Sequence, residues 1–386
     1  MSVVERPPDG ALARDVRDIA QSHLLALVGA GHEGRVNRPL LRALGDHGLL
    51  RRLCGVDAEG APQGAAAVDL CVMREALAGI STDAETALAL QGLGSYPILL
   101  SGAPDLVRRW MPGVMSGELV TAFALSEPDA GSDAAALSLA AVPDGDGWRL
   151  TGTKTWISNA PEADVYTVFA RTTPDARSRG ITAFAVSGDA DGLSGEHIDL
   201  LSPHPIGTLT FDGVRVEASD VLGEVDAGFT VAMRSLDLFR PSVGAFAVGM
   251  AQAALDATVA YTSTRQAFGG PLIAQQAVLH RLADLATSLE ASRLLVYAAA
   301  EAYDSGAPAA EVTRRAAMAK LFATETAQVI VDASVQLHGA CALVKGHLLE
   351  HLYREVRAPR IYEGASEVQR TIIGRSLVAA TQTNGF

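Results

Sequence analysis

Near the C-terminal end Glu363 lies in the run Ile361-Tyr362-Glu363-Gly364-Ala365, a carboxylate set between apolar neighbours and a glycine. Most glutamates are solvated loop acids. Apolar surroundings, however, raise a carboxyl pKa toward the range where it takes protons near neutrality. Two further patterns invite a chemical reading. His347-Leu348-Leu349-Glu350-His351 has the H-x-x-E-H spacing that puts two imidazoles on one helical face, as in zinc peptidases. A third ligand and a general base are also needed, so a solvated helix face is expected and no metal site. Gly29-Ala30-Gly31-His32-Glu33-Gly34 spells G-x-G-x-x-G after the apolar run Leu24 to Val28, with Asp57 as a downstream acid. A dinucleotide fold needs a strand on either side of that unit, and the helical texture here predicts a helix–loop break instead. Arg265-Gln266-Ala267-Phe268-Gly269-Gly270-Pro271 reads as a helix stop. The glycines and proline are ordinary punctuation and the arginine suits the dipole, but the Arg–Phe pairing is left over.

The elements that must carry these residues fall into three textures. Residues 1–120 read as a helical domain with Gly and Pro breaks, marked by Leu40, Leu41 and Leu44 and by Leu70, Met73 and Leu77. Residues 121–230 carry short β-rich runs, GWRLTGTKTWIS, DVYTVFA, ITAFAVS and TLTFDGVRV, with PDGDG as a turn. Residues 231–386 return to long helices, with one stripe at Val278, Leu282, Leu285, Leu289 and Val296 and another at Val312, Ala316, Ala319 and Val329. The expected fold is α+β and multidomain, a β domain between two helical ones.

The 386 residues hold 31 basic and 44 acidic side chains, a net charge of −13. That balance argues against nucleic acid or an anionic membrane as partner, since both require cationic surface. With 48% apolar and 19% charged residues the composition is that of a folded globular protein. Cys54, Cys71 and Cys341 are too few and too scattered for a disulfide framework. The uncharged stretch from Thr86 to Pro104 is broken by Gly92, Gly94, Pro97 and Gly102, unlike a membrane span. MSVVERPPDG lacks the basic-then-apolar order of a secretory signal, so a cytoplasmic protein is expected.

Four segments in order, ALSEPDAGSD (124–133), GTKTWISNA (152–160), RQAFGGP (265–271) and Gln336 followed by Glu363 in IYEGASEVQR, resemble the acyl-CoA dehydrogenase family of flavoproteins. The resemblance spans about residues 90 to 375. It implies a middle β-barrel-like domain, a C-terminal four-helix bundle, FAD as cofactor and a homotetramer, built as a dimer of dimers. It also implies that Phe123, Leu125, Ser126, Trp156 and Ser158 line the flavin, with Trp156 over the edge facing an electron acceptor. Arg265 would bind the FAD pyrophosphate and Phe268 pack on the cofactor, both in a neighbouring subunit; Gln336 and Gly339 would meet the adenosine end, and Ala365 the flavin. Ser132, Tyr362 and Gly364 would touch the acyl thioester. Glu363 would remove the α-proton while a hydride passes to flavin N5, giving the trans-2-enoyl thioester, and Arg240 would tune or position Glu363.

The sequence departs from the family pattern at Ala340, where a second glycine is usual, and at Ala365, where threonine is common. A glycine against a cofactor is not freely exchanged, so the adenosine contacts are the less secure part. The phosphopantetheine arm is common to CoA and to acyl carrier protein, so either carrier fits the motifs. An electron-transferring flavoprotein is the implied electron acceptor. A flavin-binding member without dehydrogenase activity is the alternative of another class. Glu363 itself argues against relatives that use an aspartate base or none.

Overall fold

The structure is a computed structural model that describes residues 10–55 and 66–383. Helices come first: α1 (Ala11–Ile19), extended by a π-helical turn (Ala20–Leu24), α2 (Leu25–Val28), α3 (Arg38–Asp46), α4 (Leu49–Cys54), α5 (Ala67–Ala78), α6 (Thr82–Ser101) and α7 (Pro104–Ser116). The Asn37 side chain caps α3 by accepting from the Leu40 N–H. Leu40, Leu41 and Leu44 are buried, as are Leu70, Met73 and Leu77.

The strands are β1 (Thr121–Ala124), β2 (Ala140–Asp144), β3 (Gly147–Ser158), β4 (Val165–Arg171), β5 (Ile181–Ser187), β6 (Leu193–His197), β7 (Ile206–Glu217) and β8 (Val221–Leu222). They form one sheet in the order β6-β7-β3-β2-β4-β5-β8, with β1 also on β4. The barrel-like expectation thus takes the form of a mixed sheet whose end strands do not pair with each other. β4 and β5, continuous apolar runs in sequence, are buried along almost their whole length, whereas β3 and β7 are buried only at intervals. PDGDG makes the β2–β3 hairpin, with Asp144 opposite Gly147 and Gly145 at φ 62°. Gly94 on α6 lets that helix approach β1: a Cβ there would fall 2.5 Å from Thr121 Oγ1 and 2.6 Å from the Ala122 nitrogen.

Long helices then return as α8 (Gly228–Thr264), α9 (Gln276–Asp304), α10 (Ala309–His338), α11 (Leu348–Glu355) and α12 (Ser366–Thr383). By length and apolar composition α8 passes as a membrane span, but 67% of its most apolar window is buried inside the protein, as in a core helix. Leu282, Leu285, Leu289 and Val296 are buried on α9, with Val278 half-buried at its start. On α10 the expected stripe holds at Val312, Ala316 and Ala319 but not at Val329, which is 50% exposed. At about 3.6 residues per turn the position that returns to the face of Ala319 is Ile330, which is fully buried.

The chain groups into two compact units: Met1–Ala20, Ala66–Glu85 and Asp237–Phe386 in one, Gln21–Ala65 and Thr86–Leu236 in the other. Residues 1–120, read as one helical domain, contribute to both. α5 packs with α1 and α9 in the first unit, and α7 with α3 and α4 in the second.

Candidate active site

In the first unit a 3-10 turn, Ala358–Arg360, leads into Tyr362-Glu363-Gly364, and α12 starts at Ser366. Glu363 has φ 51°, a left-handed backbone for a residue with a side chain. Such a conformation costs about 1–3 kcal/mol and persists only where the surroundings impose it. Here they do. Arg240 Nε donates to the Glu363 carbonyl at 3.1 Å, and Gln369 Nε2 to the same oxygen at 3.2 Å. Gln369 Nε2 and Lys320 Nζ both donate to the Gly364 carbonyl, at 2.9 and 2.7 Å. Gly364 is at φ 91°, and a Cβ on it would lie 2.6 Å from Gln369 Nε2.

The side chain of Glu363 is treated differently from its backbone. Its Oε2 is buried and has no hydrogen-bond partner in the protein. Burial pushes the carboxyl above its ordinary range, opposed by the charges of Arg74, Lys320 and Arg240. Burial likewise pushes Lys320 down to about 8. Asp237 lies 3.5 Å from Arg240 and accepts from Thr313 Oγ1 at 2.7 Å. Arg74 is paired with Glu85 inside the protein, both almost wholly buried, and donates from Nη1 to Ser242 Oγ at 2.7 Å. Tyr362 is 36% exposed and Ile361 57%, so burial of Glu363 owes little to Ile361.

Lys320, Gln369, Arg74 and Glu85 did not stand out in the sequence. The signal was there: Lys320 shares the buried face of Val312, Ala316 and Ala319, and Arg74 that of Leu70, Met73 and Leu77. A charge on an apolar stripe is rare unless paired or bonded.

In the second unit β1 delivers Phe123, Leu125 and Ser126. Phe123 stacks obliquely on Phe169, ring centres 4.8 Å apart, and Leu125 is nearly buried. The Leu125 and Ser126 carbonyls accept from Lys154 Nζ at 2.9 Å and from the Thr155 N–H at 3.0 Å. Lys154 is fully buried and also pairs with Glu127 at 2.8 Å. The Glu127 carboxylate further accepts from the Ser138 and Leu139 N–H groups, and with Lys154 these hold it below the ordinary carboxylate range. A buried ion pair therefore ties the LSEP segment to β3.

Trp156 interrupts that strand. Its φ is 59°, the β3–β7 register shifts between Lys154 and Ile157, and the indole is 56% exposed rather than part of the core. Ser158 Oγ lies 3.1 Å from His204 Nε2, and burial pushes His204 down to about 4, so the imidazole is neutral. Ser132 is exposed, and the neighbouring Asp133 binds Arg177 at 3.0 Å.

Arg265 follows the last residue of α8, and Phe268-Gly269 is the two-residue loop of a small hairpin pairing Ala267 with Gly270. Phe268 and Gly269 have φ 51° and 86°, the double positive value of a tight hairpin turn, and Phe268 is 89% exposed. Gln336 and Gly339 are exposed at the end of α10. Gly339, at φ 69° and ψ −148°, occupies backbone space essentially reserved for glycine. Ala340 follows in an ordinary 3-10 turn, so the missing second glycine introduces no strain. Ala365 is half-buried, and its carbonyl accepts from the Gln369 N–H in the first turn of α12.

The competing motifs are otherwise engaged. His347 caps α11 by accepting from the Leu349 N–H, Glu350 pairs with Arg354, and His351 bonds Thr82. Leu25–Val28 is helical and Gly29 ends it, so no strand precedes the G-x-G-x-x-G run; Asp57 lies outside the described residues.

Known proteins match along most of the chain. The acyl-CoA dehydrogenase N-terminal, middle and C-terminal domains match residues 9–118, 122–214 and 226–378. The mitochondrial short-chain specific acyl-CoA dehydrogenase of Bos taurus is 37% identical over 380 residues, 97% of this chain and 91% of the bovine one. Butyryl-CoA dehydrogenase from Megasphaera elsdenii has the same fold, with a TM-score of 0.88 and 30% identity over 95% of this chain and 97% of that one. A structure described as PigA with FAD and proline aligns with a TM-score of 0.87 and 26% identity, over 95% and 98% of the two chains.

The chain belongs to the acyl-CoA dehydrogenase family, oxidoreductases acting on the CH–CH group of donors. FAD is its cofactor, and the residues present fit that group. Trp156 and Phe268 hold aromatic faces out of the interior on left-handed backbone, Arg265 offers an exposed guanidinium, and Gly339 leaves its surroundings open.

Proposed function

We propose that this protein oxidises a fatty or related acyl-CoA to the trans-2-enoyl-CoA, with Glu363 as the base. The observation that carries the proposal is the Glu363 carboxylate, buried, raised in pKa and unpartnered at Oε2 on a turn gripped by Arg240, Gln369 and Lys320. A base works best when its pKa approaches the working pH, and one so positioned is worth about 10²–10⁴-fold in rate.

Glu363 takes the α-proton of the thioester at its free oxygen. The Glu363 N–H donates to the thioester carbonyl, where negative charge builds; one such donor is worth about 3–4 kcal/mol. Bound FAD supplies the acceptor for the hydride that leaves the β-carbon. Arg240 acts through the Glu363 carbonyl and holds the acid in place. Phe123, Leu125, Ser126, Trp156, Ser158 and Ala365 hold the flavin ring, and Arg265, Phe268, Gln336 and Gly339 the pyrophosphate and adenosine. Ser132, Tyr362 and Gly364 meet the acyl-CoA. The guanidinium fork of Arg265 suits a diphosphate.

Domain boundaries fall near residues 120 and 230, the enzyme is a cytoplasmic homotetramer, and an electron-transferring flavoprotein takes the electrons past Trp156. CoA is the carrier, as in the names of the bovine and Megasphaera relatives. The test is an anaerobic panel of acyl-CoA and matched acyl-carrier-protein thioesters, read by bleaching of the flavin. Bleaching by an acyl-CoA is expected, and a yellow protein that no acyl thioester bleaches would overturn the reading.

A further inference from the structure

The turn that carries Glu363 is held by a buried cation with no assigned role. Lys320 sits on α10 among Ala316, Ala317, Ala319 and Ala323 and is 0% exposed. Burying a lysine costs side-chain entropy and desolvation. Its ammonium spends that on the Gly364 carbonyl, 2.7 Å away.

The charged groups facing it are Glu363, Arg240, Glu325 and Glu367. Glu325 is bound by Arg360 and Ser366, and Glu367, largely exposed, pairs with Arg370. Arg240 faces Asp237 and the Glu363 carbonyl. Around Glu363 itself stand Arg74, Lys320 and Arg240, with the neutral phenol of Tyr362 beside it in sequence. Arg74 is matched by Glu85 and Arg240 by Asp237. Arg240 and Lys320 both bond the turn directly, but Arg240 has Asp237 beside it, whereas of the acids facing Lys320 Glu325 and Glu367 are bound by other groups, leaving Glu363.

We propose that Lys320 is a positioning residue for the proton-abstracting carboxylate: its ammonium pins the Gly364 carbonyl, fixing the left-handed turn at Glu363, and its charge favours the ionised acid. The inference rests on the reading of Glu363 as the base. The two contributions separate by substitution. Glutamine keeps a donor and loses the charge, methionine loses both, and arginine keeps both.

The experiment takes the FAD-loaded protein as wild type, K320R, K320Q and K320M. It measures the rate of anaerobic bleaching by butyryl-CoA or the best acyl-CoA of the panel against pH, the KM for that thioester, and amide hydrogen exchange over residues 361–366. In K320M the rate at neutral pH should fall about tenfold or more, with KM little changed and faster exchange over the turn. The rising limb of the pH profile should move up by about one unit, the size expected for losing a nearby opposite charge. K320Q should show the displaced limb with the turn still protected, and K320R should return the limb to its wild-type place. Wild-type limbs in both K320Q and K320M would overturn the inference, as would a limb displaced equally in K320R. If K320M does not fold, K320Q and K320R decide. A wild type that bleaches while every variant matches it sinks this inference alone. A wild type that no acyl-CoA bleaches sinks the dehydrogenation reading, and the exchange data then decide whether Lys320 fixes the turn.

Discussion

Arg240 grips Glu363 by its main-chain carbonyl, Nε to O at 3.1 Å, while Glu363 Oε2 lies buried without a partner. Cation and acid are therefore joined through the backbone, and the oxygen that would take a proton is left free. Because burial raises the Glu363 carboxyl, the ionised fraction grows with pH through a pKa above the ordinary value. Flavin reduction should then rise along the same limb. Glu363→Gln should keep the yellow flavin and lose at least about 10²-fold in anaerobic bleaching. A variant reducing its flavin at the wild-type rate would place the base elsewhere.

Arg240→Met removes one donor to the Glu363 carbonyl and one of three cations that oppose burial. The rate of flavin reduction should drop about 10–100-fold, and its pH limb should shift upward because the acid becomes harder to ionise. Stopped-flow bleaching across pH with a saturating thioester measures both.

The Glu127–Lys154 pair is buried on both sides, so removing Lys154 leaves a buried carboxylate with its N–H donors but no countercharge. Lys154→Met should cost about 3–5 kcal/mol in urea unfolding. The wild-type pair has a pH signature as well. The folded state depresses the Glu127 pKa, so its contribution is fully present above the unfolded value and is lost as pH falls through the folded one. Acid unfolding of the wild type should be steeper in that window than that of a Glu127→Gln/Lys154→Met double variant.

Gly339 and Ala340 are neighbours with opposite demands. Gly339→Ala meets no atom within 4 Å but forces a side chain into backbone at φ 69° and ψ −148°. It should cost about 1–3 kcal/mol, seen as a lowered melting temperature of the apoprotein. Ala340→Gly restores the usual family residue at an unstrained position and should change stability by no more than about 1 kcal/mol, in the destabilising direction.

Phe268→Ala removes an aromatic ring that is 89% exposed at the tip of a hairpin. It should leave apoprotein stability within about 0.5 kcal/mol of wild type yet weaken FAD retention through gel filtration. Unchanged retention would take Phe268 out of the cofactor site.

The parts of the site legible in the sequence are those whose constraints are local. Glu363 stands out through the family motif rather than through its apolar neighbours, since Ile361 is exposed, and the glycines after Phe268 mark the end of a helix. The β-rich texture of ITAFAVS survived as a strand because burial on both faces keeps such a run continuous. Of what holds the turn, Arg240 came only through the family resemblance, and Lys320 was not legible, since it reaches Gly364 from a helix 44 residues away. Trp156 shows the same limit. It lies on a strand, as the run GWRLTGTKTWIS predicts, but nothing in the run foretells the register shift at Lys154–Ile157 or the left-handed backbone that goes with its exposure. Val329 fell off its stripe because a stride of ten residues does not close a whole number of helical turns.

None of the three groups that clasp the peptide at 363 and 364 bonds to the acid's own free oxygen. The mount thus grips the peptide and not the carboxylate, on which its two cations act only through their charge. Every bond of this bracket runs to the main chain, so replacing the acid alone takes none of them away and loss of the base is separable from loss of the turn.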